Sequence, residues 1–231
     1  MAKFKVRDSV TGKIVVIDAA SKKEVSGISS KVTTLEEQMA EALYKPMAIE
    51  SFAVSPDSAE YGMTVNEIAF SWKLNKTPAS LTLDGSTVDP SKSGTTITDA
   101  GVTDKKTFTI KAVDERGTAA TKTASITFKR AVYYGVGAAR DSYDDTFFGT
   151  LKSEWRTNKK PTITVSPNQQ HVYYCLPVSF GTCSFALGVL PGGFELAATV
   201  SHTNVHGATE QYYVYRSVEL LNMTDMVWNI T

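Results

Sequence analysis

Between Val25 and Leu43 the apolar positions fall three and four residues apart: Val25, Ile28, Val32, Leu35, Met39 and Ala42. Ser, Thr, Lys, Glu and Gln fill the gaps. This a/d rhythm, nearly three heptads long, predicts a short coiled-coil helix over 25–45. Lys45-Pro46 ends it, because the residue before a proline is pushed out of the helical region. Thr33-x-x-Glu36 reads as a capping box if the regular helix starts late. An amphipathic helix lying on its own domain would show the same period, but the segment before it offers little surface to lie on. Val25 and Val32 at a with Ile28 at d put β-branched residues on both seams, which favours three strands over two. So short a helix is not stable alone.

The period differs on either side. Phe4-Lys5-Val6-Arg7 alternates, Val10-Thr11-Gly12-Lys13 supplies a turn, and Ile14-Val15-Val16-Ile17 is β-branched. Residues 1–24 therefore read as a hairpin, too small to stand without a partner. Over 46–129 several short alternating runs are separated by turn signals. Ile68, Phe70, Trp72 and Leu74 share one face, as do Ala124, Ile126 and Phe128, with Thr107–Ala112 alternating between them. Some seven strands in such a span predict an immunoglobulin-like β-sandwich, with Trp72 packed on aliphatics and aromatics instead of a disulfide.

Residues 130–231 read as a second β-domain. Tyr143–Lys152 is a short helix or irregular loop, Lys160–Val165 a strand, and His171–Leu176 with Thr182–Leu187 a hairpin. Glu195–His202 and Glu210–Arg216 are strands around a turn, and Val227–Ile230 closes the chain. The expected fold is mainly β: N-terminal hairpin, short trimeric coiled coil, Ig-like sandwich, and a second sandwich-like domain.

Charge excludes some partners. The 231 residues carry 24 Lys+Arg against 24 Asp+Glu, and no segment departs far from neutrality. Nucleic-acid binding needs a basic face, so none is expected; the same holds for anionic membranes. No apolar stretch approaches the roughly 20 residues of a bilayer span. Met1–Arg7 lacks the apolar run of a secretory signal, which implies synthesis in a cytosol. Aromatics are uneven: 8 of the 10 Tyr lie in residues 130–231. Strand alternation puts Tyr212 with Val214 on one face and Tyr213 with Tyr215 on the other, and divides Tyr173 from Tyr174. One of each pair is expected in the core and the other at a contact surface for a neutral glycan, a protein or a neighbouring subunit.

Several stretches resemble a known family. Phe52-x-Val54-Ser55-Pro56, Ala59-Glu60-x-Gly62, Phe70-Ser71-Trp72-x-Leu74-Asn75-Lys76-x-Pro78 and Val113-Asp114-Glu115-Arg116 are similar to the Ig-like repeat of virion proteins of gut-bacterial tailed phages. Tyr133-Tyr134-Gly135, Tyr173-Tyr174, Phe180-Gly181-Thr182, Gly192-Gly193-Phe194 and Tyr212-x-Val214-Tyr215-Arg216-Ser217 are similar to the β-domain that follows it there. A hairpin before a short coiled coil resembles the anchor of head and tail fibres. The resemblance implies a structural virion protein, made in the host cytoplasm and contacting other virion proteins through residues 1–24.

Candidate chemistry is sparse. Asp141, Asp144 and Asp145 lack the alternating spacing of a calcium loop and read as a turn or helix cap. His202 and His206 are four apart, but on a strand end and turn with no companion ligand. Cys175 and Cys183 read as buried free thiols that would face each other across the 171–187 hairpin. Nucleophile-elbow, P-loop and dinucleotide motifs are missing from the sequence. The expectation is a non-enzymatic homotrimer without cofactor or metal, projecting its β-domains toward a host surface. The alternatives are a monomeric capsid decoration protein and, more remotely, a glycan-degrading appendage, which needs a carboxylate pair in a cleft.

Overall fold

The computed structural model describes residues 4–7, 10–17 and 19–231 of the chain. The rest of the expected attachment segment, 1–3, 8–9 and 18, lies outside the described residues. The chain divides into two compact units, Met1–Pro46 and Met47–Thr231.

In the first unit, β1 (Phe4–Arg7) and β2 (Ile14–Ile17) pair antiparallel, Lys5 opposite Val16. Gly12 takes φ +66° in the turn, and Arg7 Nε donates to its carbonyl at 3.2 Å. Helix α1 runs Ala19–Ala42, six residues earlier than the heptad pattern suggests. The early start removes the expected cap. Thr33 lies mid-helix, where its hydroxyl bonds back to the Ser29 carbonyl, as those of Ser30 and Thr34 do to Ser26 and Ser30. A Ser or Thr hydroxyl placed inside a helix has its own preceding turn as nearest acceptor. The helix ends ahead of Pro46, with Leu43 N donating to Met39 O.

The second unit opens with a sandwich. Its strands are β3 (Ile49–Ser55), β4 (Ser58–Glu60), β5 (Ile68–Leu74), β6 (Ser80–Leu83), β7 (Ser86–Thr87), β8 (Gly94–Ile97), β9 (Lys106–Val113) and β10 (Ala119–Gly137). One sheet is β3-β5-β8; the other runs β7-β6-β9-β10, with β4 added parallel on β10. The chain thus changes sheets at the Ser55-Pro56-Asp57 corner. With β3 and β4 counted as one strand that switches sheets, the first, second and fifth strands face the third, fourth, sixth and seventh, an immunoglobulin-like arrangement. The alternation of β5 sends Ile68, Phe70 and Trp72 inward and leaves Ala69, Ser71 and Lys73 exposed. Phe70 is the aromatic centre, 4.9 Å edge-on to Phe108 and stacked with Phe52. Trp72 is buried in the same core and donates Nε1–H to the Lys92 carbonyl at 2.8 Å.

The remaining elements are α2 (Asp145–Phe148), β11 (Lys152–Arg156), β12 (Thr162–Val165), β13 (Asn168–Pro177), β14 (Phe185–Leu187), β15 (Leu190–Pro191), β16 (Phe194–Thr203), β17 (Thr209–Ser217), β18 (Leu221–Asn222) and β19 (Met226–Ile230). Where the sequence suggests a boundary at 129/130, no linker exists. Strand β10 runs through it: Ala119–Ile126 pair with β9, Arg130–Tyr134 with β11, and Tyr133–Gly137 with β13. Beyond β13 the same sheet continues through β17 to β16.

The junction is also pinned by side chains. Arg130 sits over the Tyr61 ring at 4.3 Å and pairs with Glu210; Asn204 Nδ2 donates to Tyr61 O at 2.6 Å. Gly62, at φ +89°, passes so close to Ala208 that a Cβ there would collide with it. Only glycine suits both demands.

Both faces of the C-terminal half of this sheet are covered. On one face the small sheet β12-β19-β14-β15 buries Val172, Tyr174 and Leu176 under Ile163, Phe185 and Trp228. On the other, Tyr143, Phe147, Phe148 and Leu151 from around α2 cover Tyr173, Cys175, Tyr212 and Val214. As a result β13 is buried without interruption from His171 to Pro177.

The expected 171–187 hairpin does not form. After β13 the chain makes a single 3-10 turn, Val178–Phe180, and β14 pairs instead with the C-terminal β19, Phe185 opposite Ile230. Cys175 and Cys183 are free, on strand and loop that do not pair. Burial pushes both thiols up, Cys183 to about 11.

Candidate functional site

The predicted site residues fare differently. In α1, Val25, Ile28, Val32, Leu35 and Met39 are 47–63% exposed, and Ala42 is exposed too. The tyrosines correct the surface reading: Tyr173, Tyr174, Tyr212 and Tyr215 are buried and Tyr213 is half-buried. The alternation itself is as expected, Tyr173 and Tyr212 on one face and Tyr174, Tyr213 and Tyr215 on the other. What differs is that neither face is open. Each buried phenol has a backbone partner in a covering segment or neighbouring strand. Tyr173 donates to Ala138 O at 2.7 Å and Tyr212 to Ala131 O at 3.0 Å. Tyr174 accepts from Lys160 N at 2.9 Å, and Tyr215 from Cys183 N at 3.0 Å. These hydroxyls tie the sheet to the backbone of its neighbours and covering segments. The Tyr enrichment is therefore core construction.

The polar residues of this half converge on one cleft. Asp144 caps α2, its Oδ1 accepting from Phe147 N at 2.9 Å. The next residue, Asp145, is thereby aimed at β16. Its Oδ1 accepts from His202 Nδ1 at 2.7 Å and from Thr203 N at 3.0 Å. These bonds, with the backbone amide first, hold its carboxyl below the usual carboxylate range. A carboxylate can only accept, so His202 Nδ1 carries the hydrogen. The other imidazole nitrogen, Nε2, lies 2.9 Å from the Tyr133 hydroxyl, and Phe148 stacks on the ring at 4.1 Å. Burial, aided by the charge of Glu60, pushes the Tyr133 phenol up to about 12. At neutral pH it is a hydrogen-bonding group, not a nucleophile.

A cleft of about 550 Å³ opens beside this chain of bonds, with Tyr133, Glu60 and Leu151 inside and Trp155 and Val205 at its edges. Trp155 reaches it because β11 pairs Trp155 with Ala131 and Ser153 with Tyr133, so all four share one face. Glu60 comes from the sandwich, 6% exposed, its Oε2 3.3 Å from His206 Nε2. His202 and His206 thus serve different carboxylates, and among the described residues no His, Cys, Asp or Glu cluster could hold a metal. Asp141 is exposed and outside the cleft.

Sequence reading passed over Tyr133, Trp155 and Glu60 as site residues. Ser153–Arg156 follow the stretch Tyr143–Lys152 that reads as a short helix or irregular loop, and Glu60 is far from the rest in sequence. Only Trp155, an aromatic between Glu154 and Arg156, carried a local hint of a strand residue.

No protein-family model matches the chain, and no curated protein matches it in sequence. Among solved structures it is similar to the crystal structure of Down Syndrome Cell Adhesion Molecule (DSCAM) isoform 1.30.30, N-terminal eight Ig domains, at 12% identity and TM-score 0.25. The similarity covers 78% of this chain and spans 23% of that one. No helix among the described residues is long and apolar enough to cross a membrane.

Proposed function

We propose that this chain is a non-enzymatic structural component of a phage particle. In this reading it is a homotrimeric appendage, attached through residues 1–24, bundled by α1, and presenting its β unit for host-surface contact. The observation that carries the reading is the apolar stripe of α1: five large side chains at heptad spacing, every one about half exposed or more. Burying such a stripe against two further copies supplies the core that a lone helix lacks. The virion assignment rests on the sequence resemblance, and avidity gives the arrangement its use, since three weak tips act at high effective concentration.

Light scattering on the purified full chain tests the assembly. The expected mass is three times 25.1 kDa. Ile28→Asp with Leu35→Asp puts charges into the seam at a cost of several kcal/mol per chain, roughly that of an unpaired buried charge, and should return a single-chain mass. A parent protein of single-chain mass at micromolar concentration overturns the trimer and favours a monomeric decoration protein.

A further inference from the structure

We infer that the cleft beside Tyr133 and His202 is a binding site for an uncharged carbohydrate. The inference deepens the host-contact part of the proposed function and rests on that reading for its biological meaning. Binding itself is a property of one β unit.

Four observations converge. The first is Trp155, which is 46% exposed at the cleft edge, whereas Trp72 and Trp228 are each 4% exposed in the two cores. An indole left half in water on an edge strand presents a flat apolar face, the surface that a sugar ring's C–H face packs against. The second is the rest of the apolar lining: Leu151, buried, and Val205, 90% exposed, add apolar surface to that of the indole. The third is the polar set. Asp145 Oδ1 accepts from His202 and Thr203, and among the described residues its Oδ2 has no hydrogen-bond partner; Ser153 adds a hydroxyl. A carboxylate held rigid by its neighbours is a strong acceptor for sugar hydroxyls, and one that pays no ordering cost on binding. The fourth is charge. The lining holds Glu60 and Asp145 and no Lys or Arg, so phosphate, sulfate or sialic acid would meet like charge. A neutral sugar satisfies all four. A basic peptide would also be drawn by the indole face and the carboxylates, so it is the competing chemistry that the test includes.

The protein supplies its own reporter, because Trp155 is the one tryptophan a ligand in the cleft can touch. Intrinsic fluorescence of the full chain is followed while chito-, cello- and malto-oligosaccharides are added, with sialyllactose and oligo-lysine as the competing chemistries. At least one neutral oligosaccharide should quench or blue-shift the emission with saturation. Trp155→Ala should weaken its binding, measured by calorimetry, by roughly tenfold or more, the scale of a lost aromatic contact. Trp155→Phe, which keeps a ring on β11, should retain most of the affinity, and circular dichroism checks that both variants fold. The inference is overturned if no neutral probe changes the emission at ~10 mM, where even millimolar sites fill. It is equally overturned if only sialyllactose or oligo-lysine binds, or if Trp155→Ala binds as the parent does. The Ile28→Asp, Leu35→Asp protein carries the same cleft. Sugar binding by that variant with parental trimer mass lost separates the two proposals: either can fail while the other stands.

Discussion

Helix α1 and strand β13 are both rich in apolar residues, and their fates are opposite. In α1 the whole seam from Val25 to Met39 lies open. In β13 seven successive residues, His171 to Pro177, are buried. The strand is the more apolar of the two, but what decides the outcome for their large apolar side chains is what covers them. The strand sits in the middle of a sheet clad on one face by β12, β19 and β14 and on the other by α2 and its flanks. The helix seam is left exposed among the described residues. Burial on two faces then imposes a demand that burial on one does not: every polar atom must find a partner inside. In β13 that is met through phenol hydroxyls and through Ser217, whose Oγ accepts from Val172 N at 3.0 Å, with His171 Nδ1 on the Ser217 carbonyl; in the covering sheet Trp228 Nε1 is buried with no partner among the described residues.

The contrast is broken most severely by one charge placed in each element. Leu176→Asp, at a fully buried position, should cost several kcal/mol, comparable to a stability of roughly 5–15 kcal/mol, and abolish the thermal transition of the β unit. Ile28→Asp should leave that transition unchanged by calorimetry while weakening association. A β unit that melts normally with Asp at 176 would mean that the strand is not the core it is described as.

A smaller effect sharpens the role of the phenols. Tyr174→Phe keeps the ring and removes the acceptor of Lys160 N. It should cost about 1 kcal/mol, the net worth of a typical hydrogen bond, seen as a lower denaturation midpoint in urea. A loss near zero would show that water replaces the hydroxyl.

The smallest effect is in pH. Tyr133 and Tyr173 are pushed up from 10.0 to about 12, and Cys183 from 9.0 to about 11, in each case mainly by burial. Raised folded values mean that the native state keeps protons that the unfolded chain releases. Their contribution is whole below pH 9 and is lost as pH climbs through 11 and 12. Urea midpoints should hold level to pH 9 and fall above it, while the association of α1, which involves none of these groups, should not follow that curve.

Legibility in the sequence follows the same division. The sandwich was readable because β5 and β9 each have one dry face and one wet face, so alternation reports burial directly. The heptad of α1 was readable from its three–four spacing alone, although the six residues of helix before Val25 carried no period to extend it. In β13 alternation still sorts Tyr173 from Tyr174, but it cannot report that a four-residue helix far along the chain closes the second face. The 171–187 hairpin looked sound because Pro177–Gly181 is turn-like; the competing partner for Phe185 was the last strand, whose pairing no local signal announces. The cleft was least legible. Glu60, Tyr133, Asp145, Trp155 and His202 come from five separate elements, and only the folded sheet brings them together.

The absence of a linker at 129/130 has a mechanical meaning. Joints between folded parts are where a chain under load yields first. Two beads on a string can swivel, and each can be peeled open strand by strand. Here β10 belongs to both halves, clasped along its length by β9 and β4 before the junction and by β11 and β13 after it. A pull transmitted along β10 meets these ladders in shear, with many hydrogen bonds strained at once instead of one after another. The sandwich and the cleft-bearing half therefore act as one stiff lever, and the direction in which the cleft looks is set by the sandwich that carries it.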